Sequence, residues 1–312
     1  MIKQKIIIDC DPGQDDAVML LLALACQNEF DILGITTVAG NVPLELTQRN
    51  ARIMCELAGR TDVPVYAGCE KPMRHELITA ENVHGKTGID GVEVYSPAMP
   101  LQQGHAVDFI IETLLGAKDN SITLVPTGPL TNIGQAMSQQ PAILPKIREI
   151  VLMGGAMREA GNTTPSAEFN ILEDPDAAQI VMHCGRPLTI CPLDVTHQVL
   201  VSRKRLEQIR QINTPVGAAI IGMMEFFNRF DSSKYGSDGA PLHDPCTIAY
   251  LLKPGLFKGK MCNVEIETGS ALTRGHTAVD FWRITDRVHN ANWLYKVDAD
   301  GFFALLVERL KP

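Results

Sequence analysis

Short β-rich apolar runs alternate along this chain with amphipathic segments of helical period, and that alternation restricts the fold more than any other feature. Residues 5–10, 31–38, 63–66, 121–126, 149–153 and 188–192 read as strands. Between them, "PLELTQRNARIMCELAG", "HAVDFIIETLLGA" and "DPDAAQIVMHCG" have helical spacing, acidic or proline starts and glycine ends. Strand, helix and strand in succession form βαβ units. The chain is therefore predicted to be α/β, with an open, mostly parallel sheet and helices on both faces.

Length alone suggests about two domains or one large α/β unit. No Gly/Ser linker, low-complexity tract or repeat interrupts the 312 residues, however, so residues 1–312 are predicted to form one domain. At 45% apolar residues the chain can bury a large core. A net charge of -8 without any Lys/Arg cluster argues against nucleic acid or an anionic membrane as the main partner. A small neutral or cationic ligand fits better. The eight cysteines lie in apolar runs with no C-x-x-C pair and read as reduced core residues of a cytoplasmic protein, not as a zinc site. The first residues lack a signal-peptide pattern, and the apolar run 17–26 is too short to span a bilayer, which adds to the expectation of a soluble protein. The polar, proline-bearing stretch 73–103 reads as a long functional loop.

The strands end in "DCDPGQDD", "VAGN", "YAG", "PTGPLTN", "MGGAM" and "PLDVT", each mixing small residues with polar ones. Ligands of open α/β sheets bind outside the carboxyl ends of the strands, so these loops are predicted to converge on one site. The first loop puts Asp9, Asp11, Asp15 and Asp16 within eight residues. A helix N-terminus relieves about 0.3–1 kcal/mol per well-placed carboxylate, too little to keep four of them ionised. A cation suffices. The donors are oxygens, which points to a hard ion, Ca²⁺ or Mg²⁺. Capping of a helix and a turn is the plain alternative, and it accounts for one aspartate more readily than for four. An EF-hand is excluded, because the position that needs a bidentate Glu is Leu20. A phosphatase of the haloacid dehalogenase type also carries D-x-D after its first strand, but Asp11 is followed by Pro12-Gly13, and Asp15-Asp16 would have no role there.

A second constellation is "GAPLHDPCTIAYLL", in which His243 and Asp244 precede Pro245 at a loop-to-helix junction. It sets a proton donor beside a carboxylate.

Together "DCDPGQDDA", "VAGN", "PTGPLTN", "MGGA", "GNTTPSAEFNI" with "DPDAA", and "LHDPC" resemble, in order and over nearly the whole chain, the inosine-uridine-preferring nucleoside hydrolases. The resemblance implies dimers or tetramers that hydrolyse the N-glycosidic bond of ribonucleosides to ribose and free base with a bound Ca²⁺. By motif position it implies Asp11, Asp16, Asp244 and the main-chain carbonyl of Thr127 as calcium ligands. Asp15 is then the general base for a water held by the ion, and the ribose 2′- and 3′-hydroxyls complete the coordination. Asp9 supports the loop or the ribose. Asn41, Asn162, Glu168 and Asn170 form the sugar pocket, with Met153 as its apolar floor. His243 protonates or hydrogen-bonds the leaving base, His84 contacts substrate, and Tyr235 flanks the base as in pyrimidine-preferring members. That arrangement favours uridine and cytidine over purines, in nucleoside salvage.

Purine-preferring relatives stack aromatic rings on the base instead, which makes Trp282, Trp293, Phe226 and Phe227 the alternative base contacts; they are assigned to the core. Gln14 departs from the apolar or small residue usual in the family, with no consequence expected beyond a polar contact. His75, His105, His183, His197, His276 and His289 have no partner motif and are taken as structural or surface groups. A nucleoside-binding protein without a working base is the non-enzymatic alternative, and the presence of Asp15 and His243 speaks against it.

Overall fold

The computed structural model describes residues 3–235 and 239–311, except for the side chains of residues 230–235. Eight strands form the main sheet: β1 (Gln4–Cys10), β2 (Phe30–Thr37), β3 (Val65–Ala67), β4 (Ile122–Pro126), β5 (Ile147–Met153), β6 (Leu188–Cys191), β7 (Phe257–Cys262) and, after a β8–β9 hairpin (Val264–Ile266, Thr277–Val279), β10 (Ala291–Val297). Their order is β3-β2-β1-β4-β5-β6-β10-β7, parallel throughout except for the antiparallel edge strand β7. The six strands read from the sequence are the first six of the fold. The period-2 alternation of β1 divides its side chains between two layers: Ile6, Ile8 and Cys10 join one core and Ile7 the other. Helices cover both faces, as the α/β reading requires.

β7 and β10 escaped the sequence reading for a physical reason. "FKGKMC" alternates lysines with apolar residues because it is an edge, where charge blocks further pairing. "ANWLYKV" buries Ala291, Trp293 and Leu294 but leaves Lys296 exposed. The aromatic assignments divide. Trp293 is fully buried, whereas Trp282 is 72% exposed, its ring approached by Arg158 and Lys260. It is not a core residue. In the 73–103 stretch the described structure is irregular apart from one helical turn, Glu81–His84. Among the described residues, no helix is long and apolar enough to cross a membrane.

The chain runs from β1 outward to β3 and then returns to place β4 on the other side of β1. β1 and β4 therefore flank the topological switch point, where neighbouring loops diverge and leave a crevice.

Candidate active site

The carboxylates of the first loop occupy that crevice. Asp9 lies at the end of β1, paired with Pro126 of β4. Beyond it the chain turns through Pro12-Gly13 into the helix Gln14–Ala25, whose first turn carries Asp15 and Asp16. Gly40 and Gly128 are required here: a Cβ on either would lie 2.2 Å and 2.6 Å, respectively, from an oxygen of Asp11. Asp11 Oδ2 accepts the main-chain N–H of Asn41 at 2.7 Å. Asp16 accepts from Gly13 N–H at 3.1 Å, Asn41 Nδ2 at 3.2 Å and the Thr127 hydroxyl at 2.8 Å. Asp244, just before the helix Pro245–Leu252, comes from the far side, so that one oxygen each of Asp15, Asp16 and Asp244 lies within 4.8 Å of the others.

Such crowding is costly without a counter-ion. Burial, then the charge of Asp16, push Asp15 up to about 7. Burial moves Asp16 to about 6, partly opposed by its hydrogen bonds from Gly13 and Thr127. Asp11 and Asp244 are raised well above the carboxylate range, first by burial and then by neighbouring aspartates. Oδ1 of Asp11 and Oδ1 of Asp15 are buried with no hydrogen-bond partner. Orphaned carboxylate oxygens in an all-oxygen set fit a hard divalent cation. Asp9 lies beneath the cluster: its Oδ1 accepts from Thr36 at 2.6 Å and Asn132 at 2.8 Å, while its Oδ2 is likewise buried without a partner and burial pushes the group up to about 7. Asn132 also donates to Thr37 O and accepts from Cys69 N–H, tying three strand ends together.

Above the carboxylates opens a cleft. Asp15, Asp244, Asn41, His84, Thr127, Met153, Asn162, Glu168, Asn170 and His243 all line it, so the site residues read from distant motifs share one cavity, with Asp11 and Asp16 fully buried nearby. The side chain of Tyr235 lies outside the described residues. Asn170 Nδ2 donates to the carbonyls of Thr127 at 2.7 Å and Met153 at 3.3 Å. Glu168 caps the turn Phe169–Glu173 and accepts from Gly155 N–H at 2.9 Å, which fastens the "MGGA" loop. Asn162 Oδ1 accepts the Phe169 N–H at 2.9 Å. Nδ1 of His243 lies 2.7 Å from the Thr196 hydroxyl, and burial followed by the nearby His197 pulls its pKa well down.

Three assignments change. Phe227 is a cleft wall that stacks on His84, ring centroids 5.3 Å apart, and not only a core residue. His197 also lines the cleft, 5.7 Å from the ring of His243, with Nδ1 3.2 Å from Glu159. Gln14 is fully buried and hydrogen-bonded to His84 in both main chain and side chain, more than a contact near the loop. Phe169 lines the cleft as well. Only the quoted "EFN" motif hinted at Phe169; Phe227 was one of four aromatics considered for stacking on the base, and His197 carried no local signal, because loop packing brings it in.

Residues 6–304 match the family described as inosine-uridine preferring nucleoside hydrolase. A pyrimidine-specific ribonucleoside hydrolase from Photobacterium profundum is 49% identical over 98% of both chains. One from a Shewanella species is 47% identical over 98% of this chain and 95% of its own. Among solved structures, a purine-preferring ribonucleoside hydrolase from Gardnerella vaginalis superimposes with a TM-score of 0.91 at 34% identity, covering 98% of each chain. Those matches leave no place for the phosphatase alternative. With its acidic centre at the β1/β4 switch point and its cleft above, the chain belongs to the inosine-uridine preferring nucleoside hydrolase family and is an N-ribosyl hydrolase.

Proposed function

We propose that the chain is a calcium-dependent hydrolase of pyrimidine ribonucleosides, uridine and cytidine, acting in nucleoside salvage. The observation that carries the metal half of this reading is the set of buried, partnerless oxygens on Asp11 and Asp15 within an all-oxygen cluster. The pyrimidine half rests on relatives 47–49% identical that are named pyrimidine-specific.

Asp11, Asp16, Asp244 and the Thr127 carbonyl would hold the ion, which when bound supplies positive charge that acidifies and orients water and anchors the ribose diol. Asp15, with one oxygen free of partners, accepts the proton of the attacking water. Asn41, Asn162, Glu168 and Asn170 bind the sugar over Met153. Their oxygens, together with the carboxylates, stabilise the positive charge that develops on the ribose ring as the bond to the base breaks. His243 hydrogen-bonds or protonates the departing base, with Nδ1 held by Thr196. Its side chain is neutral near pH 7, so it acts through a ring N–H unless substrate raises its pKa. Tyr235 is kept as a base-flanking residue.

We further read residues 1–312 as one domain of a cytoplasmic homo-oligomer, a dimer or tetramer. Exposed Leu272, Trp282, Ile284 and Val288 supply apolar surface for such contacts. Sedimentation velocity of the purified protein tests the assembly, and a monomer would refute it. Ribose release from uridine, cytidine and inosine, with calcium and after chelation, tests the function. Chelator-sensitive release from the pyrimidines is expected; faster turnover of inosine would move the specificity to the purine class of the Gardnerella structure.

A further inference from the structure

Gln14 opens the helix Gln14–Ala25, immediately before Asp15 and Asp16, yet its side chain serves a different part of the site. Its Nε2 donates to the main-chain carbonyl of His84 at 2.8 Å and to that of Asp90 at 3.3 Å. Carbonyls only accept, so the amide NH₂ must face them and the amide oxygen must point the other way. That oxygen lies 2.7 Å from Nδ1 of His84. An amide oxygen also only accepts, so the ring proton sits on Nδ1. Burial holds the His84 ring neutral, with its pKa lowered to about 3. A neutral imidazole has one N–H, which leaves Nε2 with a free lone pair. No described residue hydrogen-bonds Nε2, and the ring stands in the cleft wall against Phe227. Gly13 fits the same arrangement, since a Cβ there would lie 2.4 Å from Nδ1 of His84.

We propose that Gln14 is a positioning residue that fixes His84 as its Nδ1–H tautomer, so that Nε2 accepts a hydrogen bond from a donor on the bound nucleoside. The choice of ligand rests on the hydrolase reading, whereas the tautomer is a property of the resting protein. Apart from the 2′- and 3′-hydroxyls assigned to the ion, a uridine offers two such donors, the ribose 5′-hydroxyl and the N3–H of the base. A substrate carbonyl turned to this position meets a lone pair and is disfavoured, so the tautomer restricts how the nucleoside lies in the cleft.

The test uses protein labelled with ¹⁵N in its histidine rings. A long-range ¹H–¹⁵N correlation spectrum of the full-length protein reads the His84 tautomer directly. Gln14→Met has similar length but no amide; there the ring is expected to move to Nε2–H or to a mixture. KM is then measured for uridine, 5′-deoxyuridine and 3-methyluridine. Loss of one hydrogen bond is expected to raise KM for uridine about tenfold, roughly 1.4 kcal/mol. The analogue that already lacks the engaged donor should show no further loss, while the other analogue loses as uridine does. An equal loss for all three compounds would mean a loosened loop and would overturn the proposal, as would a wild-type ring protonated at Nε2. If Gln14→Met does not fold, Gln14→Leu, with the apolar side chain usual in the family at this position, supplies the comparison, and the wild-type spectrum reads the tautomer in either case. Should no ribose be released from any nucleoside while the tautomer is as described, the hydrolase reading fails, and calorimetric binding of the three compounds replaces KM.

Discussion

Thr127 donates its hydroxyl to Oδ1 of Asp16 at 2.8 Å, linking the loop after β4 to the first helical turn after β1 across 111 residues. Asp16 is thus held from several directions, by Thr127, Gly13 and Asn41, whereas Asp15 beside it keeps one oxygen with no partner. The geometry distinguishes a carboxylate held by three donors from one with an unpartnered oxygen, which is what the proposed ligand and base roles need.

Substitution at the two positions should therefore differ in kind. Asp15→Asn is expected to lower kcat by about 10²–10⁴-fold while calorimetry still detects calcium. Asp16→Asn or Asp244→Asn should lose calcium binding and turnover together. Turnover that survives in Asp15→Asn would reassign the base.

The raised carboxylates predict a pH signature. Asp15 and Asp16 have folded-state values of about 7 and about 6, above their ordinary 3.8. The folded, metal-free protein thus binds more protons than the unfolded chain between those values, so their contribution to stability is full below about 4 and is lost as pH rises towards 7. Calcium bound by the cluster as proposed would compete with those protons and reverse the loss. The increase in melting temperature on adding calcium to chelated protein should grow from pH 5 to pH 7. A calcium effect that is flat or declines over that range would contradict the cluster's role.

Nδ1 of His243 depends on Thr196, 2.7 Å away. His243→Ala should reduce kcat for uridine by about 10²–10⁴-fold if the ring assists departure of the base. Thr196→Val, which removes only the hydroxyl, should cost about tenfold. Nucleosides with activated leaving groups should be much less sensitive to both, a comparison made in parallel kinetic assays.

Phe227→Leu removes the stack on His84 while keeping apolar volume. The contact is worth about 0.5–1.5 kcal/mol, so a lower melting temperature by a few degrees is expected. KM should rise with kcat little changed, the pattern of lost binding shared by ground and transition states. A fall in kcat alone would place Phe227 in the chemistry instead.

The sequence by itself determined the parallel core of this protein, because short apolar runs separated by amphipathic helices have few other ways to bury themselves. It also determined the acidic centre: Asp9, Asp11, Asp15 and Asp16 are close in the chain, and local geometry alone crowds them. The antiparallel edge strand β7 and its neighbour β10 were decided by tertiary context, since edge position suits lysines that a periodicity reading discounts. Trp282 and Trp293 have the same side chain, yet one is 72% exposed and the other fully buried, a difference set by neighbouring elements and not by composition. Gln14 shows the limit most clearly. Its local sequence describes a helix start; its chemistry depends on His84, 70 residues away, reaching it through a loop with little regular structure. Contacts between residues distant in sequence form only when the chain closes on itself, and only the folded chain shows which groups they join.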